Sequence, residues 1–232
     1  MPYRRLPNTD EARIRALKAA VRQGSLENPY NLTITFKSLG EARSFLDTFE
    51  KAQLVYKQNL QRQAKENLKY QVLFKRAQLY VSHFIQVLNL CVIREEIKKE
   101  NKTYYGLIPD NFAVPELTTG ATVEEWGRKI IDGEQERIRR GGSPIYSPTI
   151  AKVKVHYDVF MEAHILQKGL KDITAKSLKQ LAKLRVEGDK IILDIWEQIE
   201  DKYANMPQEI RLDKCKKFGI IYYLRKKERK IG

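Results

Sequence analysis

The sequence predicts an all-α protein: an up-and-down four-helix bundle with short additional helices and one or two short peripheral strands. Apolar residues recur at steps of three and four over long stretches, as on one face of a packed helix. Almost no Gly or Pro interrupts these stretches, and charged residues make up 31% of the 232 positions. A chain of this length can bury a sufficient core without metals or disulfides. We therefore expect a single helical-bundle domain over residues 1–232, with basic N- and C-terminal extensions.

The first helix is predicted over residues 9–23. Asn8 or Thr9 is a suitable N-cap, and Gly24 is expected to end the helix. The stretch Leu32–Phe36 then alternates apolar and hydroxyl side chains, which predicts a short strand.

The main helical region begins at Ser38, which forms a capping-box pattern with Glu41. No Pro or Gly occurs from Glu41 to Tyr105. Because one helix of sixty residues is unusual in a globular domain, we expect a turn in the polar stretch Gln61–Asn67 and a second helix from about Leu68 to Lys99. A continuous or kinked helix fits the same residues.

The second half of the chain predicts a loop at 101–121 and a short helix from Thr122 to about Arg140. Residues 150–160 fit a half-buried strand or a helical face, and helix is favoured. A last long helix is predicted from Thr174 to Asn205. Gly188 falls on its apolar stripe and should let a neighbouring backbone come close, and Gly219–Leu224 is predicted to form a short strand.

The charge is concentrated at the two ends of the chain. Of the net +14, residues 211–232 contribute +7 (nine Lys/Arg against Asp213 and Glu228) and residues 1–24 contribute +4 (six Lys/Arg against Asp10 and Glu11). The middle of the chain therefore carries only +3. Such ends are able to hold phosphates or anionic surfaces, and they also serve as solubilising tails.

No motif for catalysis, metal or nucleotide is present. The three histidines lack the Glu-x-x-His spacing of di-metal bundles, and the sequence contains no P-loop, no nucleophile elbow and no Cys-x-x-Cys. We therefore predict no catalytic residue, no metal and no cofactor, and a non-enzymatic interaction or scaffold protein. The alternative function is binding of nucleic acid or another polyanion through the basic termini.

One candidate anion site precedes the predicted loop at 141–144. Arginines supply forked donors, and glycines let backbone N–H groups converge on an anion. The same residues also suit an ordinary helix C-terminus, where cations and a left-handed glycine are common. The candidate anion-binding residues are Arg137, Arg139, Arg140, Gly141, Gly142 and Ser143.

A candidate nucleic-acid site lies at the C-terminal end. Two tyrosines followed by a basic run could stack on bases while the cations hold phosphates. The tyrosines also fit core and surface positions of a strand, which requires no nucleic acid. The candidate residues are Tyr222, Tyr223, Arg225, Lys226, Lys227, Arg229 and Lys230.

The segments Ser82–Asn89, Trp126–Glu134 and Gly141–Ile145, with the Tyr222-Tyr223 pair, resemble a family of uncharacterised bacterial proteins of similar length. The resemblance implies a bacterial, cytoplasmic protein and transfers no catalytic or binding residue. It agrees with the absence of an apolar secretion signal, with only two distant cysteines, and with an apolar stretch too short to span a membrane. The partner of such a protein is open.

Overall fold

The computed structural model describes residues 3–223. The elements, in chain order, are β1 (Tyr3–Arg4), α1 (Asp10–Leu26), α2 (Phe36–Ile93), a 3₁₀-helix (Lys99–Tyr105), α3 (Gly120–Arg139), α4 (Ile150–Lys202), α5 (Gln208–Lys217) and β2 (Tyr222–Tyr223). The predicted all-α bundle, with short additional helices and two short peripheral strands, is confirmed. The described residues form two compact units, and each is described by itself below. The single domain stays a prediction.

Unit 1 comprises residues 3–60 and 173–223. It contains α1, the first part of α2, the last part of α4, α5 and both strands. Its core is built from apolar faces of these helices, and the largest buried side chains include Phe49, Trp196 and Phe218. Gly188 is in contact distance of Phe45, where an added Cβ would lie 2.9 Å from the ring. The close approach predicted at Gly188 therefore exists, but to an aromatic ring rather than a backbone.

Unit 2 comprises residues 61–172. It contains the last part of α2, the 3₁₀-helix, α3 and the first part of α4. Phe84, Tyr105 and Phe160 are fully buried in its core. Gly133 lies directly against the 3₁₀-helix, because a Cβ there would meet the Tyr104 carbonyl oxygen at 2.7 Å. The core thus fixes the 3₁₀-helix tightly against α3.

The turn predicted at Gln61–Asn67 is wrong, because α2 is one continuous helix of 58 residues. The stretch is polar, but Gln, Arg, Ala, Lys and Glu all have high helix propensity, so polarity alone gives no reason to break the helix. In the same way α4 runs unbroken for 53 residues through Gly169. Residues 150–160 belong to α4, so the helical alternative for them is confirmed and the strand is excluded.

The strand predicted at Leu32–Phe36 is also wrong. This stretch is a loop in which Ile34 is buried, and α2 begins at Phe36. The side chain of Thr35, not Ser38, accepts a hydrogen bond from the first turn, from the Ser38 N–H at 3.3 Å. In this stretch the apolar Ile34 is buried in the core, and the hydroxyl of Thr35 caps the helix.

Two helix ends also differ from the predictions. Thr9 caps α1 as expected, accepting from the Ala12 N–H at 3.2 Å, but the helix continues past Gly24 to Leu26. Gly24 is buried, and a Cβ there would lie 3.0 Å from Leu39. Helix α3 is capped by Thr119 rather than Thr122, so it begins at Gly120.

Candidate functional site

The two short strands join the two basic ends of the chain. β1 and β2 pair antiparallel with Tyr3 opposite Tyr223 and Arg4 opposite Tyr222, and the Arg5 N–H donates to the Ile221 carbonyl at 2.9 Å. The predicted strand at Gly219–Leu224 is thus confirmed for Tyr222 and Tyr223, while its partner was not predicted. The pairing places cations from both ends of the chain on one part of unit 1.

One face of this ribbon is anchored to α4 by Glu200. Arg4 Nη1 donates to Glu200 Oε2 at 3.0 Å, and the Tyr222 hydroxyl donates to Glu200 Oε1 at 2.6 Å. Burial, reinforced by the hydrogen bond to Glu200, raises the pKa of Tyr222 well above its ordinary value. Tyr222 therefore holds the two paired strands against α4, and its hydroxyl proton is used in the hydrogen bond to Glu200.

The opposite face carries Tyr3, Arg5 and Tyr223, which we name the aromatic platform. The ring centroids of Tyr3 and Tyr223 are 6.2 Å apart with an interplanar angle of 33°. The Arg5 guanidinium lies 5.3 Å from the centre of the Tyr223 ring, within cation–π range. Tyr3 is about half exposed, at 48%. The platform thus combines one half-exposed ring and one partly buried ring with a positive charge.

The ribbon, α1 and the end of α5 enclose a pocket of about 730 Å³, which we name the basic pocket. Its cationic side chains are Arg5, Arg15 and Lys216, and the described residues that line it include no carboxylate. Tyr222 and Tyr223 border it as well. Gly219, in the left-handed region at φ 89°, brings this segment against α1, where a Cβ would lie 2.9 Å from Ala19.

Other cations of the basic ends are already paired. Arg13 donates to both carboxylate oxygens of Asp189, and Lys18 lies 2.7 Å from Glu50. Arg5, Arg15 and Lys216, in contrast, are exposed and form no ion pair with any carboxylate of residues 3–223. Other exposed cations of unit 1, such as Lys37, Lys51 and Lys183, also form no ion pair with a described carboxylate. What distinguishes Arg5, Arg15 and Lys216 is that they line one pocket together.

The residues of the nucleic-acid site predicted from the sequence do not lie together in one described site. Tyr223 belongs to the platform, Tyr222 is an anchor, and Arg225, Lys226, Lys227, Arg229 and Lys230 lie outside the described residues. Arg5, Arg15 and Lys216 were not predicted as site residues. The alternation of Tyr3-Arg4-Arg5 is a weak strand signal, but nothing in the sequence indicates which strand it would pair with.

The residues of the anion site predicted in unit 2 also differ in their surroundings, because Arg137 is buried whereas Arg139 and Arg140 are exposed. Arg137 is buried in an ion pair with the fully buried Glu134, with 2.8 Å between Arg137 Nη2 and Glu134 Oε1. Its Nε donates to the Tyr105 hydroxyl at 2.8 Å, and the same Nη2 donates to the Ser143 carbonyl at 2.8 Å. Tyr105 itself donates to Glu134. Arg137 therefore stabilises the core, and it also belongs to the lining of a pocket in unit 2.

The glycine backbone of that site serves as an ordinary helix cap. The Gly141 N–H donates to the Ile138 carbonyl at 2.9 Å, and the Gly142 N–H donates to the Arg137 carbonyl at 3.0 Å. These two donors are thus directed into α3 rather than towards an anion. Arg139 and Arg140 are exposed and share one carboxylate, Glu136.

Comparison with models of known families, with curated proteins and with solved structures found no match for this chain. Within residues 3–223, no group of three or more His, Cys, Asp and Glu side chains could hold a metal ion. None of the described helices combines the length and apolar character needed to cross a membrane.

Proposed function

We propose that this chain is a non-enzymatic interaction protein that binds a polyanion, specifically single-stranded nucleic acid, through the aromatic platform and the basic pocket of unit 1. The observation that carries the proposal is the basic pocket: β1, paired with β2, brings Arg5 beside Arg15 of α1 and Lys216 of α5, and none of the described lining residues is a carboxylate. A phosphate backbone is the biological ligand that most directly matches a cluster of exposed cations.

The aromatic platform favours single strands over duplexes. Tyr3 and Tyr223 offer ring faces beside Arg5, and unpaired bases stack on such rings with little sequence preference. Stacked bases inside a duplex have no free face to offer. The proposal therefore assigns phosphates to the pocket cations and bases to the two tyrosines.

The test is binding of a fluorescent 20-nucleotide oligo-dT, followed by anisotropy at three salt concentrations. The pocket variant combines Arg5→Gln, Arg15→Gln and Lys216→Gln. Its matched control, Lys37→Gln with Lys51→Gln and Lys183→Gln, removes the same charge from exposed positions of unit 1 that do not line the basic pocket. Because each phosphate contact on a single strand contributes roughly −0.7 to the slope of log K against log salt, the pocket variant should flatten that slope by about 2.

A second pair of variants isolates stacking. Tyr223→Ala should weaken binding roughly 5- to 100-fold, the range of one lost base–aromatic stack, while Tyr223→Phe should bind nearly as well as the wild type. Absence of binding at low salt, or an equal loss in the pocket variant and its control, would refute the proposal.

The C-terminal basic run extends the same proposal beyond the described residues. Deleting residues 225–232 removes five cations and Glu228. If these cations also contact phosphates, the slope should flatten by up to about 3 more. An unchanged slope would limit the binding site to the pocket and would leave the tail a solubilising segment.

We also propose a cytoplasmic location in a bacterium. The resemblance noted in the sequence supports it, and it agrees with the absence of a membrane-spanning helix among the described residues. Fractionation of tagged protein tests the compartment: recovery in the cytosolic fraction is expected, and recovery in the periplasm or culture medium would contradict it.

A further inference from the structure

Another pocket lies entirely in unit 2, where the end of α2, the 3₁₀-helix and the end of α3 converge. It has a volume of about 790 Å³, within the usual range for small-molecule sites. Three exposed cations line it, Arg94, Lys98 and Arg140, and the only carboxylate among its described lining residues is Glu96. We propose that this pocket binds a small molecule through a phosphate group.

The cations are available to a ligand. Arg94 lies just beyond α2, and its nearest described carboxylate is Glu96 at 4.0 Å, too far for a hydrogen bond. Lys98 forms no ion pair among residues 3–223. Arg140 donates through Nε to Glu136 at 2.6 Å, and its guanidinium lies 5.0 Å from the centre of the Tyr104 ring, but its side chain is still 61% exposed. Since Arg139 shares Glu136, the two arginines together keep an excess positive charge.

The wall of the pocket is held in place from behind. The buried Arg137 donates to the Ser143 carbonyl at 2.8 Å, and Glu134 accepts from the Ile145 N–H at 3.1 Å. These bonds fix the segment 143–145 that forms one wall. Because the protein's own hydrogen bonds hold this wall, binding does not have to order it, which favours affinity.

The chemistry of the lining indicates the ligand class. Arginine forks bind phosphate with two parallel hydrogen bonds, and a lysine adds a point charge. Asn101, Tyr104 and Ser143 add polar side chains to the lining, and the volume exceeds what one phosphate ion fills. A phosphate monoester of a small polar molecule therefore fits better than the free ion. This site differs from the proposed nucleic-acid surface in position and in ligand.

The experiment is calorimetric titration of the full chain with inorganic phosphate and, separately, with a ribonucleoside monophosphate. The pocket variant is Arg94→Gln with Lys98→Gln, both at exposed positions. The matched control, Lys168→Gln with Lys171→Gln, removes the same charge from exposed positions of unit 2 that do not line the pocket. A third variant, Arg140→Gln, removes the remaining cation.

The monophosphate should bind in a saturable manner and more tightly than inorganic phosphate. Losing one charge-assisted hydrogen bond weakens binding roughly tenfold or more, so the double variant should lose about 100-fold and the control less than about twofold. Tighter binding of inorganic phosphate than of the ester would identify a free-ion site and contradict the ester. Absence of saturable binding by either probe, or an equal loss in the control, would overturn the proposal. Oligonucleotide binding in unit 1 is measured independently of these outcomes.

Discussion

Each unit contains one carboxylate that holds an arginine and a tyrosine beside a cationic pocket. In unit 1, Glu200 accepts hydrogen bonds from Arg4 and Tyr222. In unit 2, Glu134 accepts hydrogen bonds from Arg137 and Tyr105. The difference is burial: the Glu134 side chain is fully inaccessible, whereas 21% of the Glu200 side chain is exposed.

Residues of the same type have different roles in the two units, depending on whether a carboxylate holds them. An arginine or tyrosine placed next to one of these carboxylates becomes part of the scaffold, as Arg137 and Tyr222 do. Arg94 and Tyr223 lack a buried or half-buried carboxylate partner: Arg94 lies 4.0 Å from the exposed Glu96, and Tyr223 contacts Tyr3 and Arg5. The carboxylates thus separate the structural side chains from the proposed ligand-binding side chains, and their burial determines how much stability each contributes.

The largest effect is expected from Glu134→Ala. This change leaves the Arg137 charge buried without its partner and removes the acceptor of Tyr105, so the free energy of unfolding should fall by about 3–5 kcal/mol. Chemical denaturation measures it. Glu125→Ala, at an exposed carboxylate paired with Lys129, is the control and should cost less than about 0.5 kcal/mol. Equal losses in the two variants would show that the buried Glu134 pair contributes no more to the free energy of unfolding than an exposed ion pair.

A smaller effect is expected at alkaline pH. Burial, reinforced by Glu134, raises the pKa of Tyr105 far above its ordinary value of 10.0. The folded state therefore retains a proton that the unfolded chain loses, so this contribution is complete below about pH 10 and declines as the pH rises further. The decline should be up to about 1.4 kcal/mol per pH unit.

The check is a series of denaturation curves between pH 8 and 11. Relative to the wild type, Tyr105→Phe should flatten the loss of stability above pH 10. Tyr222→Phe should flatten it as well, because burial and the hydrogen bond to Glu200 also raise the pKa of Tyr222. Parallel curves for Tyr105→Phe and the wild type would contradict the assignment.

A modest effect is expected from Glu200→Ala. Its partners Arg4 and Tyr222 can reach water, so the free energy of unfolding should fall by only about 1–2 kcal/mol. Glu197→Ala is the control, since its side chain is 64% exposed and it also pairs with Arg4. A loss at Glu200 as large as that at Glu134 would remove the distinction between the two carboxylates.

The sequence was sufficient to predict helices but not their continuity. Apolar periodicity located α1, α2 and α4, because packing requires that pattern. The turn at Gln61–Asn67 was predicted because a helix of sixty residues is unusual in a globular domain and this stretch is polar. Helix length depends on the neighbours that a helix packs against, and a single sequence does not reveal them. The strand at Leu32–Phe36 failed for a related reason, because the burial of Ile34 depends on tertiary contacts.

Some residues of the candidate sites could be predicted from the sequence, but the contacts between them could not. Local composition indicated the arginines before Gly141 and the tyrosines at the C-terminal end. It could not show that Glu134, three residues before Arg137, would be buried with it. Nor could it show that Tyr3 and Arg5 would pair across more than two hundred residues with Tyr223. Long-range contacts of this kind leave little signal in a single sequence.

The most direct measurement of the central claim is photo-crosslinking of an oligonucleotide that carries 5-iodouracil, followed by mapping of the linked peptide by mass spectrometry. A base stacked on the aromatic platform should crosslink to Tyr223 or Tyr3, and the yield at Tyr223 should disappear in Tyr223→Ala while that at Tyr3 persists. Crosslinks confined to residues outside the platform and the basic pocket, at the same oligonucleotide affinity, would contradict the account.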